Sequence, residues 1–197
     1  MKTMIRYFMI LTLLAIVIIA PPTAPGQSGN EGAAKNQKET FTGTLIGIGG
    51  PLAGRSTPFT FTIKGVTSDQ DAQRYVGLLA EKGQDGLMSA VKDQKLGTFA
   101  LSGQVGRDVN VVRIHRTETG RKITILFERW LNLFELRYGT RSEDYPFTYA
   151  EIYVDAQGKG EGTLIPAARI RFDKNEQGVE IENFGIYPAR LTGIRVR

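Results

Sequence analysis

The chain has 197 residues, no cysteine, one histidine, one tryptophan and a formal charge of +5. That length suits one domain or two small ones, and 41% hydrophobic with 23% charged residues fits neither a disordered polyelectrolyte nor a protein of many membrane spans. Without cysteine there is no disulfide framework, thiol nucleophile, thiolate zinc site, iron–sulfur cluster or lipoprotein cysteine, and a single histidine excludes multi-histidine metal sites.

The first 26 residues have the pattern of a signal peptide. Lys2 and Arg6 give a positive start, Tyr7 to Ala20 is apolar apart from Thr12, and Pro21-Pro22 ends the run. Fourteen helical residues span about 21 Å, short of the ~30 Å hydrocarbon core. A cleaved secretory signal is therefore favoured over a membrane anchor, with cleavage expected after Ala24-Pro25-Gly26. An uncleaved signal anchor is the alternative. Removing residues 1–26 takes away two bases and no acid, which leaves 23 basic and 20 acidic side chains. That mild excess permits attraction to an anionic surface but does not suit a nucleic-acid binder. The expected location is the periplasm or the exterior of a bacterial cell.

Gln27 to Lys38 has no apolar side chain larger than alanine and reads as a flexible linker. A single domain is expected over residues 39–197. Gly49-Gly50-Pro51-Leu52-Ala53-Gly54-Arg55-Ser56 has the spacing of a phosphate-binding loop, with arginine in place of lysine. Such a loop needs a helix after it. Here Phe59, Phe61 and Ile63 alternate with Thr60 and Thr62 as a half-buried strand does, so the loop reads as a hairpin and no nucleotide is expected.

Residues 68–95 break the strand pattern. Ala72, Tyr75, Val76 and Leu79 fall at helical spacing, Ser68 or Asp69 can cap the start, and Gly83 can stop the helix after Lys82. Leu87, Met88 and Val91 suggest a second, shorter helix. Alternation resumes with Phe99, Leu101 and Val105, then with Val109–Arg116 and Lys122–Phe127 around the turn Glu118-Thr119-Gly120. Trp130 to Tyr138 fits either period and is read as a strand. Phe147–Val154, Glu161–Phe172 and Val179–Phe184 are separated by the turns Asp155–Gly160 and Asp173–Gly178. Pro166, inside a strand pattern, predicts an edge or a bulge. The sum is a mainly β fold: an antiparallel barrel or sandwich of about nine strands, with one helical insertion between early strands.

Few motifs carry chemistry. Asp173 to Gly178 resembles the opening of a calcium loop, but Phe184 stands where the closing glutamate belongs, and a two-strand turn explains it without an ion. Glu180 and Glu182 share a strand face about 7 Å apart, a spacing a glycosidase can use. Their alternation with Val179 and Ile181 reads more simply as a solvated face. His115, the only candidate general base, lies between Arg113 and Arg116, which disfavour the imidazolium that base catalysis forms. No metal, cofactor or catalytic residue is assigned.

Basic residues concentrate between Arg107 and Arg129 and again at Arg190, Arg195 and Arg197. If these strands are neighbours, Arg113, Arg116, Arg190 and Arg195 form a patch for an anionic envelope polymer or lipid. Three stretches, Gly103-Gln104-Val105-Gly106-Arg107-Asp108, Phe134-Glu135-Leu136 with Arg141 to Phe147, and Leu164-Ile165-Pro166-Ala167-Ala168-Arg169, together resemble a family of exported bacterial proteins of unknown function. The resemblance implies export and a shared domain, and no activity, cofactor or site residue. The expected function is a non-catalytic binding domain at the cell envelope. A lipocalin-like carrier of a small apolar ligand and a carboxylate-based hydrolase are the alternatives.

Overall fold

The computed structural model describes residues 38–48, 53–129, 144–184 and 188–197. Ten strands and one helix follow one another as β1 (Glu39–Ile46), β2 (Ser56–Ile63), α1 (Asp69–Val91), β3 (Gly97–Leu101), β4 (Arg107–Val109), β5 (Val111–Thr117), β6 (Gly120–Glu128), β7 (Phe147–Asp155), β8 (Lys159–Asp173), β9 (Gly178–Asn183) and β10 (Ala189–Val196). The order across the sheet is β4-β3-β2-β1-β10-β8-β7-β6-β5, with β9 pairing β8 off this path. Every pairing is antiparallel. The two end strands, β4 and β5, are one stretch of chain bent at Asn110, so the sheet curls into a nearly closed barrel. Counted that way, eight strands go round it.

Asn110 holds the closure. It is buried, and its backbone N–H donates to Leu126 O at 3.0 Å while its Oδ1 accepts from Glu128 N–H at 3.1 Å, so both bonds reach β6. Its Nδ2 donates to Lys92 O and Gln94 O, which ties down the chain leaving α1. Where β5 leaves β4, its open edge is covered by Thr67: Thr67 N–H donates to Val112 O at 2.8 Å, and Thr67 Oγ1 accepts from Val112 N–H at 3.1 Å. A free edge would invite pairing with another chain.

Strand alternation fills the barrel with side chains. Phe41, Phe61, Phe99 and Phe127 are completely buried, together with Ile123, Ile125, Ile152 and Leu191. Their rings pack in a chain across the interior: Phe41 on Phe61 at 5.5 Å, Phe61 on Phe99 at 6.4 Å, Phe99 on Phe127 at 5.6 Å, and Phe59 on Phe99 at 5.3 Å. Each such contact adds about 0.5–1.5 kcal/mol beyond burial itself. At the end where β1 begins, Arg121 crosses from β6 to pair with Glu39, and its guanidinium lies 5.5 Å over the Phe41 ring.

A second, smaller core lies outside the barrel. Tyr75, Leu79, Leu87 and Val91 of α1 pack against Leu126, Phe147, Ala168 and Ile170. Ser68 caps α1, its Oγ accepting from Asp71 N–H at 3.0 Å. Gly83 has φ 67 and ψ −164, outside the helical range, so α1 is two helical segments that meet at a kink there, in keeping with the expected stop at Gly83 and the second, shorter helix after it.

Bulges explain how long strands serve both cores. Between Tyr149 and Phe147 the β8 partner moves from Ile165 to Ala168, three residues against two, which places an extra residue of β8 at Pro166–Ala167. Beyond it β8 leaves the barrel, pairs with β9 and joins the helix layer. A second bulge lies at Gly193, with φ 59, where β10 advances three residues against two on both neighbours. One expectation needs correction. The run through Val105 ends as a strand at Leu101, because Gly103 turns the chain with φ 79 and leaves Val105 87% exposed. The ten strands among the described residues agree with the expected count of about nine, and they curl into a barrel rather than a sandwich. The expected strand at Trp130–Tyr138 lies outside the described residues. Among the described residues no helix is long and apolar enough to cross a membrane.

Candidate functional site

The wall formed by β5 to β8 carries an interior of hydrocarbon and an exterior of chemistry. Facing out on β6 and β7, Glu151 accepts from Tyr149 Oη at 2.5 Å and Tyr153 Oη at 3.1 Å, and pairs with Lys122 Nζ at 2.6 Å. The Lys122 and Glu151 side chains are only 18% and 13% exposed. Burial, then the hydrogen bond to Glu151 and its negative charge, push the Tyr149 hydroxyl well above the ordinary tyrosine range. Lys122 lies 5.7 Å from the centre of the Tyr153 ring. The group is internally satisfied, so it fixes Tyr153 in place on the wall.

Immediately beside Tyr153, at the end of the barrel, is an open cleft of about 230 Å³. It sits between the β5–β6 and β7–β8 turns, and its lining includes the cations Arg121 and Lys159, the acids Asp155 and Glu161, and Thr117, Thr119 and Tyr153. Glycine allows the strands to meet here. A Cβ on Gly120 would lie 2.0 Å from Val154 O, and one on Gly160 would lie 2.1 Å from Tyr153 O, so only glycine fits on either side of the end of β7. Asp155 shapes the β7–β8 turn, its Oδ1 accepting from Gln157 N–H at 2.9 Å and Lys159 N–H at 2.8 Å.

The four arginines of the expected patch do not meet as one group. Arg113 faces outward on β5 and donates from Nη1 to Thr67 O at 2.8 Å and from Nη2 to Asp69 at 2.6 Å, which anchors the start of α1. Arg116 lies opposite Arg121 and continues the inward face of β5 past the barrel rim, where it is exposed. Arg190 and Arg195 are exposed on β10. Their odd spacing would put them on opposite faces, but the Gly193 bulge turns both outward. Arg190 lies opposite Thr163, and Arg195 opposite Lys159. Arg113 and Arg190 are four strands apart, about 19 Å at ordinary strand spacing. Arg116 and Arg195 are likewise four strands apart, but both stand at the cleft end, where Arg121 on β6 and Lys159 on β8 lie between them. Those two linking cations, and Tyr153, were missed by the sequence reading. Their signal was their position beside turns, which becomes informative only once the register is known.

The remaining candidates resolve into ordinary roles. His115 is exposed, opposite Lys122. Glu180 and Glu182 lie opposite Arg171 and Arg169, and Glu182 pairs with Arg171 at 2.7 Å and accepts from Tyr145 Oη at 2.7 Å. Asp173 Oδ1 accepts from Asn175 and Glu176 N–H groups, as a turn aspartate does. Gly54 and Arg55 close a hairpin into β2 and precede no helix. Among the described residues no group of three or more His, Cys, Asp or Glu side chains is arranged to hold a metal. Comparison with protein-family models, curated proteins and solved structures gives no match.

Proposed function

We propose that the chain is an exported, non-catalytic interaction domain of the bacterial cell envelope, engaging anionic polymer or lipid through its cationic barrel end. The signal-peptide pattern of residues 1–26 supports export. The observation that carries the reading is the filled interior: the phenylalanine chain from Phe41 to Phe127 occupies the space a carrier would need for its ligand. Recognition is thereby directed to the surface. There Arg116, Lys159 and Arg195 are exposed around one end, interspersed with the exposed acids Glu118, Asp155 and Glu161, and Arg190 stands further along β10. The hydrolase alternative draws no support from Glu180 and Glu182, because opposing arginines neutralise that face.

Single exposed ion pairs contribute about 0–1 kcal/mol each, so the association is weak and needs several cations together. Co-sedimentation with purified cell walls and with anionic vesicles tests it, at low and high salt. Binding at low salt that is lost at high salt is expected. No binding at low salt, or binding indifferent to salt, would overturn the reading. Stoichiometric lipid in the native mass spectrum would restore the carrier.

A further inference from the structure

We infer that the cleft beside Tyr153 is a subsite for one anionic sugar unit of an envelope glycan, an inference that rests on the interaction-domain reading and names its ligand. Three features point to a sugar rather than a lipid surface or a bare anion. The first is size. At about 230 Å³ the cleft is below the roughly 300–1,000 Å³ of sites for drug-sized ligands, and suits a single ring with its substituent.

The second is the mixture of polar groups. Thr117 and Thr119 offer hydroxyls, Lys159 offers a charged donor, and Glu161 offers an acceptor, while the second carboxylate of the lining, Asp155, has its Oδ1 taken up by the Gln157 and Lys159 N–H groups of the turn. A lone phosphate has no use for the Glu161 carboxylate and is repelled by it. A sugar can place a hydroxyl on Glu161 and its charged group toward Lys159, whose cross-strand neighbour Arg195 strengthens the positive field. Arg121 contributes less, because Glu39 already pairs with it.

The third is the ring. Tyr153 is 46% exposed on a flat wall, and its hydroxyl is held by Glu151 while Lys122 lies over the ring. It is thus an aromatic surface fixed before a ligand arrives, with little side-chain freedom left to lose on binding. Bilayer insertion would call for exposed apolar side chains at this end. Ile48 and Val105, the two most exposed of the large apolar side chains described, lie in the loops at the opposite end, after β1 and β3, and Val66, after β2, is a single exposed valine on the near side.

Chemical-shift mapping on the full chain tests the inference with four probes: glucose 6-phosphate, galacturonic acid, neutral glucose and inorganic phosphate. The two anionic sugars are expected to shift the amides of Thr117, Thr119, Tyr153 and Lys159. Glucose and inorganic phosphate are expected to bind about fivefold more weakly or less, and K159Q to weaken both anionic sugars by about fivefold. Y153L, which keeps apolar bulk but loses the ring, is expected to weaken the sugars and leave inorganic phosphate unchanged. Inorganic phosphate binding as tightly as glucose 6-phosphate, shifts confined to the Arg190 region, or no shift with any probe would each overturn the subsite. If the cleft is silent while salt-sensitive sedimentation persists, the subsite fails and the broader reading stands. Sugar binding at the cleft without sedimentation would do the reverse.

Discussion

The two faces of the β6–β7 wall use the same strands for opposite ends. On the inside, Ile123, Ile125, Phe127, Ala150 and Ile152 are entirely excluded from solvent. On the outside, residues one step along the same strands, Lys122, Thr124, Tyr149, Glu151 and Tyr153, form a polar surface centred on one carboxylate. A period of two makes this separation automatic. It also means that stability and recognition are addressed by different residues and can be disturbed independently.

The largest effect should come from the interior. Phe99 touches the rings of Phe59, Phe61 and Phe127, and F99A leaves a cavity at the centre of that chain. A loss of about 3–5 kcal/mol is expected by chemical denaturation. N110A is next: it strands Glu128 N–H and releases the two carbonyls after α1, for a loss of about 2–3 kcal/mol. The barrel seam should then show faster amide exchange than β7 and β8.

On the outer face, K122M leaves Glu151 half-buried with two tyrosines but no cation. A smaller loss of about 1–2 kcal/mol is expected, since the site keeps some water. The smallest effect is alkaline. In the unfolded chain Tyr149 ionises near about pH 10. In the fold, burial and Glu151 keep it protonated to higher pH. The folded state therefore holds its proton more tightly, and this stabilisation is complete below about pH 10 and declines as pH rises above it. Unfolding measured between about pH 9 and 11 should show a decline that Y149F reduces. An unchanged slope in that variant would contradict the assignment.

Much of the fold was legible because local rules acted alone. Alternation around Phe59–Ile63 and Lys122–Phe127 gave strands, Ser68 gave a cap, Pro166 gave a bulge, and the aspartates at 155 and 173 gave turns. The choice of barrel over sandwich was not legible, because it depends on a bend at Asn110 that looks like any polar residue between strands. The cleft end was legible only in part. Arg113 and Arg116 were grouped although parity sends them to opposite faces. Arg190 and Arg195 reach one face only through an extra residue at Gly193, for which the inward pair Leu191 and Ile194, three apart, was the available sign. Gly120 and Gly160 looked like turn residues, yet their role is to let three strands approach at the cleft.

Cell-wall sedimentation of the triple variant R116Q, K159Q, R195Q, compared with the unmodified chain at low salt, tests most directly whether recognition sits on the barrel end. None of the three side chains is buried, so stability should be unchanged while binding is lost. A triple variant that sediments as fully as the unmodified chain would contradict the account.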